Sequence, residues 1–352
     1  NDGNNEVYLS GSGENVFHNN TILGRLRGGH SSIIKNNNIS DSIYIESDDN
    51  LISNNIIGYI WSDYGDSNTI SNNIINGRIG LDEADDNIIN NNTIIGGILL
   101  YDGSNGNLIT NNTIKDNDGN GITVYSNSNT ISGNTISGND DDGIYLTGSD
   151  SNTIFNNTIK DNGGSGIYLS GSDSNTISNN TISGNEDYEI YLGSGSNDNI
   201  LIGSVSDVYV SSNSDLTIKN YLTIQIQLSG DLVNGSDVQI KDNSDILYAT
   251  SYYNGSDAKT VNGTIRLLLI TDRIYDGSST ATENITELKV KYGNYTKTIN
   301  VSMSTSHTEV VTLVTLPVVN ITSGPSDPTN SQSATFQFTS ANSTFECRMD
   351  SG

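Results

Sequence analysis

Asn175-Thr-Ile-Ser-Asn-Asn-Thr-Ile182 is the stretch that decides the fold, because it recurs along the first 205 residues. Taking its first residue as the origin, copies begin at Asn15, Ser32, Asn50, Asn68, Asn87, Asn107, Asn129, Asn152, Asn175 and Asn199, spaced 17, 18, 18, 19, 20, 22, 23, 23 and 24 residues apart. The third position is always apolar, from Phe17 and Ile34 through Ile177 to Leu201. The sixth is asparagine in nine copies: Asn20, Asn37, Asn55, Asn73, Asn92, Asn112, Asn134, Asn157 and Asn180. The eighth is isoleucine in the same nine. A glycine-rich gap then leads to a third apolar pair, as in Ile144-Tyr-Leu146, Ile167-Tyr-Leu169 and Ile190-Tyr-Leu192.

These alternating stretches are too short for helices, and alternation puts their isoleucines on one side. Three short strands per unit, separated by turns, make one triangular coil. Coils stacked at the inter-strand distance of about 4.8 Å give a rod of roughly 48 Å for ten coils, each pairing its backbone with its neighbours. Asparagine suits the corners: it bonds backbone groups, tolerates left-handed backbone, and can bond its own copies up a column.

The repeat resembles the right-handed parallel β-helix of the NosD-like and pectate-lyase-like group of secreted archaeal and bacterial proteins, over about sixty per cent of the chain. That resemblance implies fold more than activity, since this fold hosts many functions. A copper-maturation role implied by the NosD name would need soft or imidazole ligands, and the chain has one cysteine (Cys347), three histidines and two methionines.

From Tyr221 the pattern changes to longer strands with Asn-Gly and Asp-Gly turns, at 222–228, 237–240, 246–248, 264–270, 287–292, 298–303 and 309–316. Seven such strands read as a β-sandwich that resembles immunoglobulin-like or carboxypeptidase-regulatory-like modules. A third piece begins at Pro317, with strands expected at 318–322, 334–338 and 344–349; it resembles the first half of a bacterial Ig-like repeat. The expected architecture is therefore all-β: a right-handed single-stranded parallel β-helix (1–215), an Ig-like β-sandwich (220–316) and a partial second Ig-like domain (317–352). Three strands with open edges make a poor independent domain, so the expectation is that the natural chain continues or that a neighbouring copy completes the sheet. The start at Asn1 reads as a mature segment whose leader has been removed.

Of the 352 residues, 33% are hydrophobic and 16% charged, and asparagine fills much of the difference: 40 of 52 asparagines lie before residue 201. The net charge is −26, with 15 Lys+Arg against 41 Asp+Glu. That excludes a general electrostatic partnership with nucleic acid or an anionic membrane, and no apolar run approaches the ~20 residues of a membrane helix.

Chemistry-bearing signals are sparse. No paired motif of a polysaccharide lyase, hydrolase or epimerase is visible; the one basic cluster is Arg25, Arg27, His30 and Lys35, while Arg78, Lys115 and Lys160 are scattered. No catalytic residue is assigned and no cofactor is expected. Acidic turns at Asp48-Asp49, Asp85-Asp86, Asp140-Asp-Asp142, Asp150, Asp173 and Asp198 recur at similar corners. They read either as solvated turns or as structural Ca²⁺ bridges between rungs. Tyr145, Tyr168 and Tyr191, with Tyr44 and Tyr209 continuing the column, form an outward aromatic stripe that fits sugar stacking, subunit packing or plain strand propensity. Sequons in the rod follow from the repeat. Past residue 220 no repeat generates them, so Asn234, Asn254, Asn262, Asn284, Asn294, Asn300, Asn320 and Asn342 are expected N-glycosylation sites.

The resulting expectation is a non-catalytic extracellular structural protein at the cell surface. It would be a subunit of a surface layer, sheath or filament, adhesive in use, whose partners are copies of itself. The alternative is a carbohydrate-active or carbohydrate-binding β-helix protein with surface polysaccharide as its partner.

Overall fold

A computed structural model describes residues 6–9, 15–243, 245–278, 280–314, 320–323 and 337–339. It divides into two units: residues 1–222 with 268–286 and 302–307, and residues 223–267 with 287–301 and 308–352.

The first unit is the rod, and its strands fall into three columns. Face one holds ten rungs from Val16–His18 to Asn199–Ile202 and continues into Asp215–Leu228. Face two runs from Thr21–Ile22 to Thr181–Ser183, and face three from Glu6–Tyr8 to Val208–Val210. The pairings between rungs are parallel, and face one stays in register throughout: Ile131 sits on Ile154, Ile154 on Ile177, Ile177 on Leu201 and Leu201 on Ile218. The inward isoleucines of the three faces, such as Ile131, Ile136 and Ile144 in one coil, are fully buried in one continuous core. Each contributes about 1.5–3 kcal/mol by leaving water, so a rod with few hydrophobic residues still has a dry axis.

Asparagines form hydrogen-bonded columns along the rod, at the sixth position and at the origin. At the sixth position the backbone N–H of each asparagine donates to Oδ1 of the next, as from Asn55 to Asn73 (2.9 Å) and from Asn112 to Asn134 (2.9 Å). Its Nδ2 reaches back to a carbonyl of the preceding coil, as from Asn134 to Ile109 (3.0 Å). The origin asparagines form a second buried ladder, Asn50 through Asn68, Asn87, Asn107, Asn129, Asn152 and Asn175 to Asn199, with N···Oδ1 distances of 2.8–2.9 Å. The left-handed backbone belongs to the residue before the sixth position, at Asn19, Asn36, Asn54, Asn72, Asn91, Asn111, Asn156 and Asn179, each with φ between 53° and 58°.

A third ladder runs the other way. Two residues before each origin, Oδ1 of Asp48, Asp66, Asp85, Asn105, Asn127, Asp150 and Asp173 accepts the backbone N–H of the next coil at 2.6–2.9 Å. The acidic corners are therefore backbone acceptors, which gives Asp48, Asp85, Asp150 and Asp173 a structural task besides solvation. Among the described residues no group of three or more His, Cys, Asp or Glu is arranged to hold a metal.

The seven strands expected after residue 220 are present, at Asp215–Leu228, Asp237–Asp242, Asp245–Ala249, Thr264–Asp276, Thr286–Tyr292, Tyr295–Val301 and His307–Leu313. Their grouping differs from a free-standing sandwich over 220–316. Asp215–Leu228 begins as a rung of face one, with Leu216 on Asn199 and Lys219 on Ile202, and residues 268–286 and 302–307 belong with the rod. The second unit contains a four-stranded sheet in the order 245–249, 237–242, 286–292, 295–301. Of the third piece, Asn320–Ser323 pairs antiparallel with Gln337–Thr339. The expected strand 344–349, Cys347 and Asn342 lie outside the described residues, as does the side chain of Asn320.

Candidate functional site: an aromatic groove on face three

The outward residues of face three form one column along the rod: Arg27, Tyr44, Trp61, Gly80, Leu99, Thr123, Tyr145, Tyr168, Tyr191 and Tyr209. Its middle is where the site lies. Gly80 has no side chain beside Trp61, and a Cβ there would meet the indole at 2.5 Å. The Trp61 ring therefore drapes over Gly80 toward Tyr101, at 5.4 Å between centroids, and Tyr101 stacks on Tyr125 at 6.1 Å and 18°.

One wall comes from a change in coil size. At the corner between faces two and three, Ile94 and Ile98 are four residues apart, whereas Ile114 and Ile122 are eight apart. The shorter corners bring glycine backbones close together, and a Cβ on Gly96 would lie 2.3 Å from the Gly77 carbonyl carbon. The longer corners add a further asparagine ladder, Asn117, Asn139, Asn162 and Asn185. The step between short and long corners is a groove of about 720 Å³ bounded by Tyr59, Trp61, Arg78, Leu99, Asp118 and Tyr125. Arg78 is exposed and makes no ion pair among the described residues. Asn120, which donates from Nδ2 to Thr123 Oγ1 (3.2 Å), lines the same groove.

The tyrosine stripe expected from the sequence forms, and Tyr209 continues it. Tyr168 meets Tyr145 at 5.1 Å and 64° and Tyr191 at 4.5 Å and 67°, while Tyr191 stacks on Tyr209 at 4.8 Å and Tyr188 leans on both. These rings cover one another's faces, and burial raises the hydroxyl pKa of Tyr168 and Tyr191 above the ordinary value. Tyr44 shares the column but is separated from the stripe by Gly80, Leu99 and Thr123, and it packs under cations instead. Arg25 and Arg27 lie 5.8 Å and 5.0 Å from its ring centroid, and Arg27 also pairs with Glu46 at 2.8 Å. That arrangement gives Arg25 and Arg27 structural partners; His30 is exposed.

Sequence reasoning missed Trp61, Tyr101 and Tyr125 and dismissed Arg78 as scattered. The available signal was the outward tryptophan followed one coil later by an outward glycine.

Beside the groove, burial pushes the Asp142 carboxyl up to about 6, against a hydrogen bond from the Ser165 N–H (2.7 Å) that lowers it and repulsion from Asp141 and Asp187 that raises it. A carboxyl whose folded pKa lies above its unfolded value weakens the fold above that pKa, and the penalty disappears as pH falls through about 6 toward 4. Asp142→Asn keeps the Oδ1 acceptor. It should raise the unfolding free energy at pH 8 by about 1–2 kcal/mol, after allowing for partial solvent screening, and leave it unchanged at pH 4. Paired thermal melts at the two pH values check this.

Stacked parallel rungs on three faces around an isoleucine axis define a parallel β-helix. The right handed beta helix region family matches residues 97–311, and the chain belongs to that family. A search of curated proteins finds no match. Among solved structures, the periplasmic alginate epimerase AlgG is 17% identical over 56% of this chain and 62% of its own (TM-score 0.39). The A-module of mannuronan C-5 epimerase AlgE6 from Azotobacter vinelandii is 19% identical over 56% and 64% (TM-score 0.38). The Dettilon tailspike protein is 12% identical over 82% and 74% (TM-score 0.41). The chain thus spans less than two thirds of the length of either epimerase chain. No helix among the described residues is long and apolar enough to cross a membrane.

Proposed function

We propose that this chain is an extracellular glycan-binding β-helix protein that holds an extended polysaccharide along face three, with Trp61, Tyr101 and Tyr125 as the stacking platform. The carrying observation is the groove itself: aromatic rings of which Tyr125 is 38% exposed, beside an exposed Arg78 and amide groups, on a glycine-backed floor. The C–H face of a pyranose packs on such rings as other apolar surface does, while convergent polar groups fix its orientation. Coils repeat at about 4.8 Å, so an extended chain of sugars lying along face three crosses successive rungs. This reading replaces the surface-lattice subunit as the main one, because an inert rod has no need of a recess with an exposed guanidinium in its wall.

A second reading, glycan cleavage, is favoured by one observation: Asp142, with its carboxyl pushed up to about 6, follows Asp141, which lines the groove. A carboxyl whose pKa is raised toward neutrality suits general acid work on a glycosidic bond.

Affinity electrophoresis in gels cast with neutral and uronate polysaccharides tests the proposal. Retardation of the intact chain that is lost in Trp61→Ala supports it. Equal mobility of both proteins in every gel overturns it, and release of new reducing ends, lost in Asp142→Asn, supports the second reading. Of the expected glycosylation sites, Asn234, Asn254, Asn262, Asn294 and Asn300 are exposed. Asn284 is half-buried and its Nδ2 donates to the Thr271 carbonyl (3.1 Å), so the proposal of N-glycosylation is kept for the five exposed sites.

A further inference from the structure

Face three presents two outward columns, of which the first runs through Trp61 and Gly80. The second lies two residues further along each rung and reads Glu46, Asp63, Asp82, Tyr101, Tyr125 and Thr147. Asp63 and Asp82 are register partners. The Tyr101 N–H donates to the Leu81 carbonyl (2.8 Å), which sets Tyr101 on the rung next to Asp82. The ring platform therefore ends, toward the N-terminal end of the rod, in a stack of three carboxylates. Like charges on adjacent strands repel. Burial, and then repulsion from Asp82 and Glu46, raises the Asp63 carboxyl above its ordinary value. Arg27 compensates Glu46 at 2.8 Å, whereas neither Asp63 nor Asp82 makes an ion pair among the described residues.

The wall of the groove has mixed sign. Of its described lining residues Arg78 is cationic, Asp118 and Asp141 are anionic, and all three are exposed. A Cβ on Gly119 would lie 3.7 Å from Asp141 Oδ2, so that carboxylate reaches over a glycine that also lines the groove. A guanidinium only donates hydrogen bonds and an ionised carboxylate only accepts them. A hydroxyl does both, so the neighbouring hydroxyls of a sugar satisfy Arg78 and the aspartates together. A uronate carboxylate answers Arg78 alone, and an amino-sugar ammonium answers the aspartates alone.

We infer that the groove takes an uncharged polysaccharide, and that Asp63 and Asp82 turn polyuronates away from it. The inference rests on the glycan-binding reading of the same groove and narrows it to one substrate class. A polymer stacked on Tyr101 and Tyr125 and extending along their column passes over Asp82 and Asp63. A polyuronate would set a carboxylate of its own against each of them, on a chain whose net charge is already −26. An uncharged chain meets no such opposition, and in the other direction it passes over the Thr147 and Ser170 hydroxyls of the same column. Discrimination thus comes from what the site repels as much as from what it holds.

Trp61 is the single tryptophan of the chain, so its fluorescence reports occupancy of the platform. The intact chain is titrated with uncharged oligosaccharides from glucans, mannans and galactans, with oligouronates, and with glucosamine oligomers. The expected result is a saturable change with an uncharged oligosaccharide, whose Kd moves by less than about twofold between about 20 and about 500 mM NaCl. Oligouronates should bind at least about tenfold more weakly. The double variant Asp63→Asn/Asp82→Asn should keep the uncharged ligand within about twofold and gain about tenfold for oligouronates. Oligouronate or glucosamine-oligomer binding as tight as that of any uncharged sugar overturns the inference and leaves glycan binding standing, as does oligouronate binding that the double substitution does not change. No response to any sugar overturns the glycan-binding reading, and this inference with it.

Discussion

Asn134→Ala should destabilise the rod by about 3–6 kcal/mol, the largest effect expected from any single substitution of a polar residue here. Asn134 Oδ1 accepts both the backbone N–H and the Nδ2 of Asn112, at 2.9 and 3.0 Å, and its own Nδ2 serves the Ile109 carbonyl and Asn157 Oδ1, both at 3.0 Å. All of these groups are buried, and each left unsatisfied costs about 1–3 kcal/mol. Asn20→Ala is the internal control: the same residue type in the same column, but exposed and with no group accepted at Oδ1 among the described residues, so it should cost under about 1 kcal/mol. Urea unfolding of the two variants checks the pair. Equal losses at both positions would mean that the ladder is decoration on a rod held by isoleucine alone. Because solenoid stability is a sum over neighbouring repeats, the Asn134 variant should also open locally, with faster amide exchange in residues 107–160 than elsewhere.

Trp61→Ala should weaken glycan binding by about 10- to 100-fold, equivalent to roughly 1.4–2.7 kcal/mol, with little change in melting temperature. The indole rests on Gly80 and touches Tyr101, and it is half-buried without filling the core, so its loss empties the platform rather than the axis. Tyr168→Ala, which removes a ring whose faces are already covered by Tyr145 and Tyr191, should leave the affinity within about twofold while lowering stability by about 1 kcal/mol through lost ring pairing. Isothermal titration with the retained polysaccharide separates the two. A larger affinity loss in Tyr168→Ala than in Trp61→Ala would move the site from the groove to the tyrosine stripe.

The rod was legible because a β-helix writes its geometry into period. Ile34, Ile52, Ile70 and their successors must face the axis in every coil, and Asn37, Asn55 and Asn73 must turn the same corner. The aspartate ladder follows the same logic and was read as charge because its members alternate between Asp85 and Asn105; only the constant offset of two residues before each origin asparagine reveals a shared acceptor role. The sandwich boundary was less legible, because Asp215–Leu228 alternates like any strand whether it caps a coil or starts a new sheet. The groove was not legible from residue type. Trp61, Tyr101 and Tyr125 lie forty and twenty-four residues apart in sequence, and they converge only because the glycines at 77, 80 and 96 coincide with a lengthening corner.

That lengthening has a consequence for how the chain finds its pairing. Near-identical rungs invite slippage, in which one turn settles on the wrong neighbour. Here the perimeter grows from 17 to 24 residues, so a turn displaced by one storey meets a floor of the wrong circumference, and wherever a four-residue corner meets an eight-residue one the excess chain must bulge. The taper acts as a key cut into an otherwise repetitive staircase, and it gives each step one address.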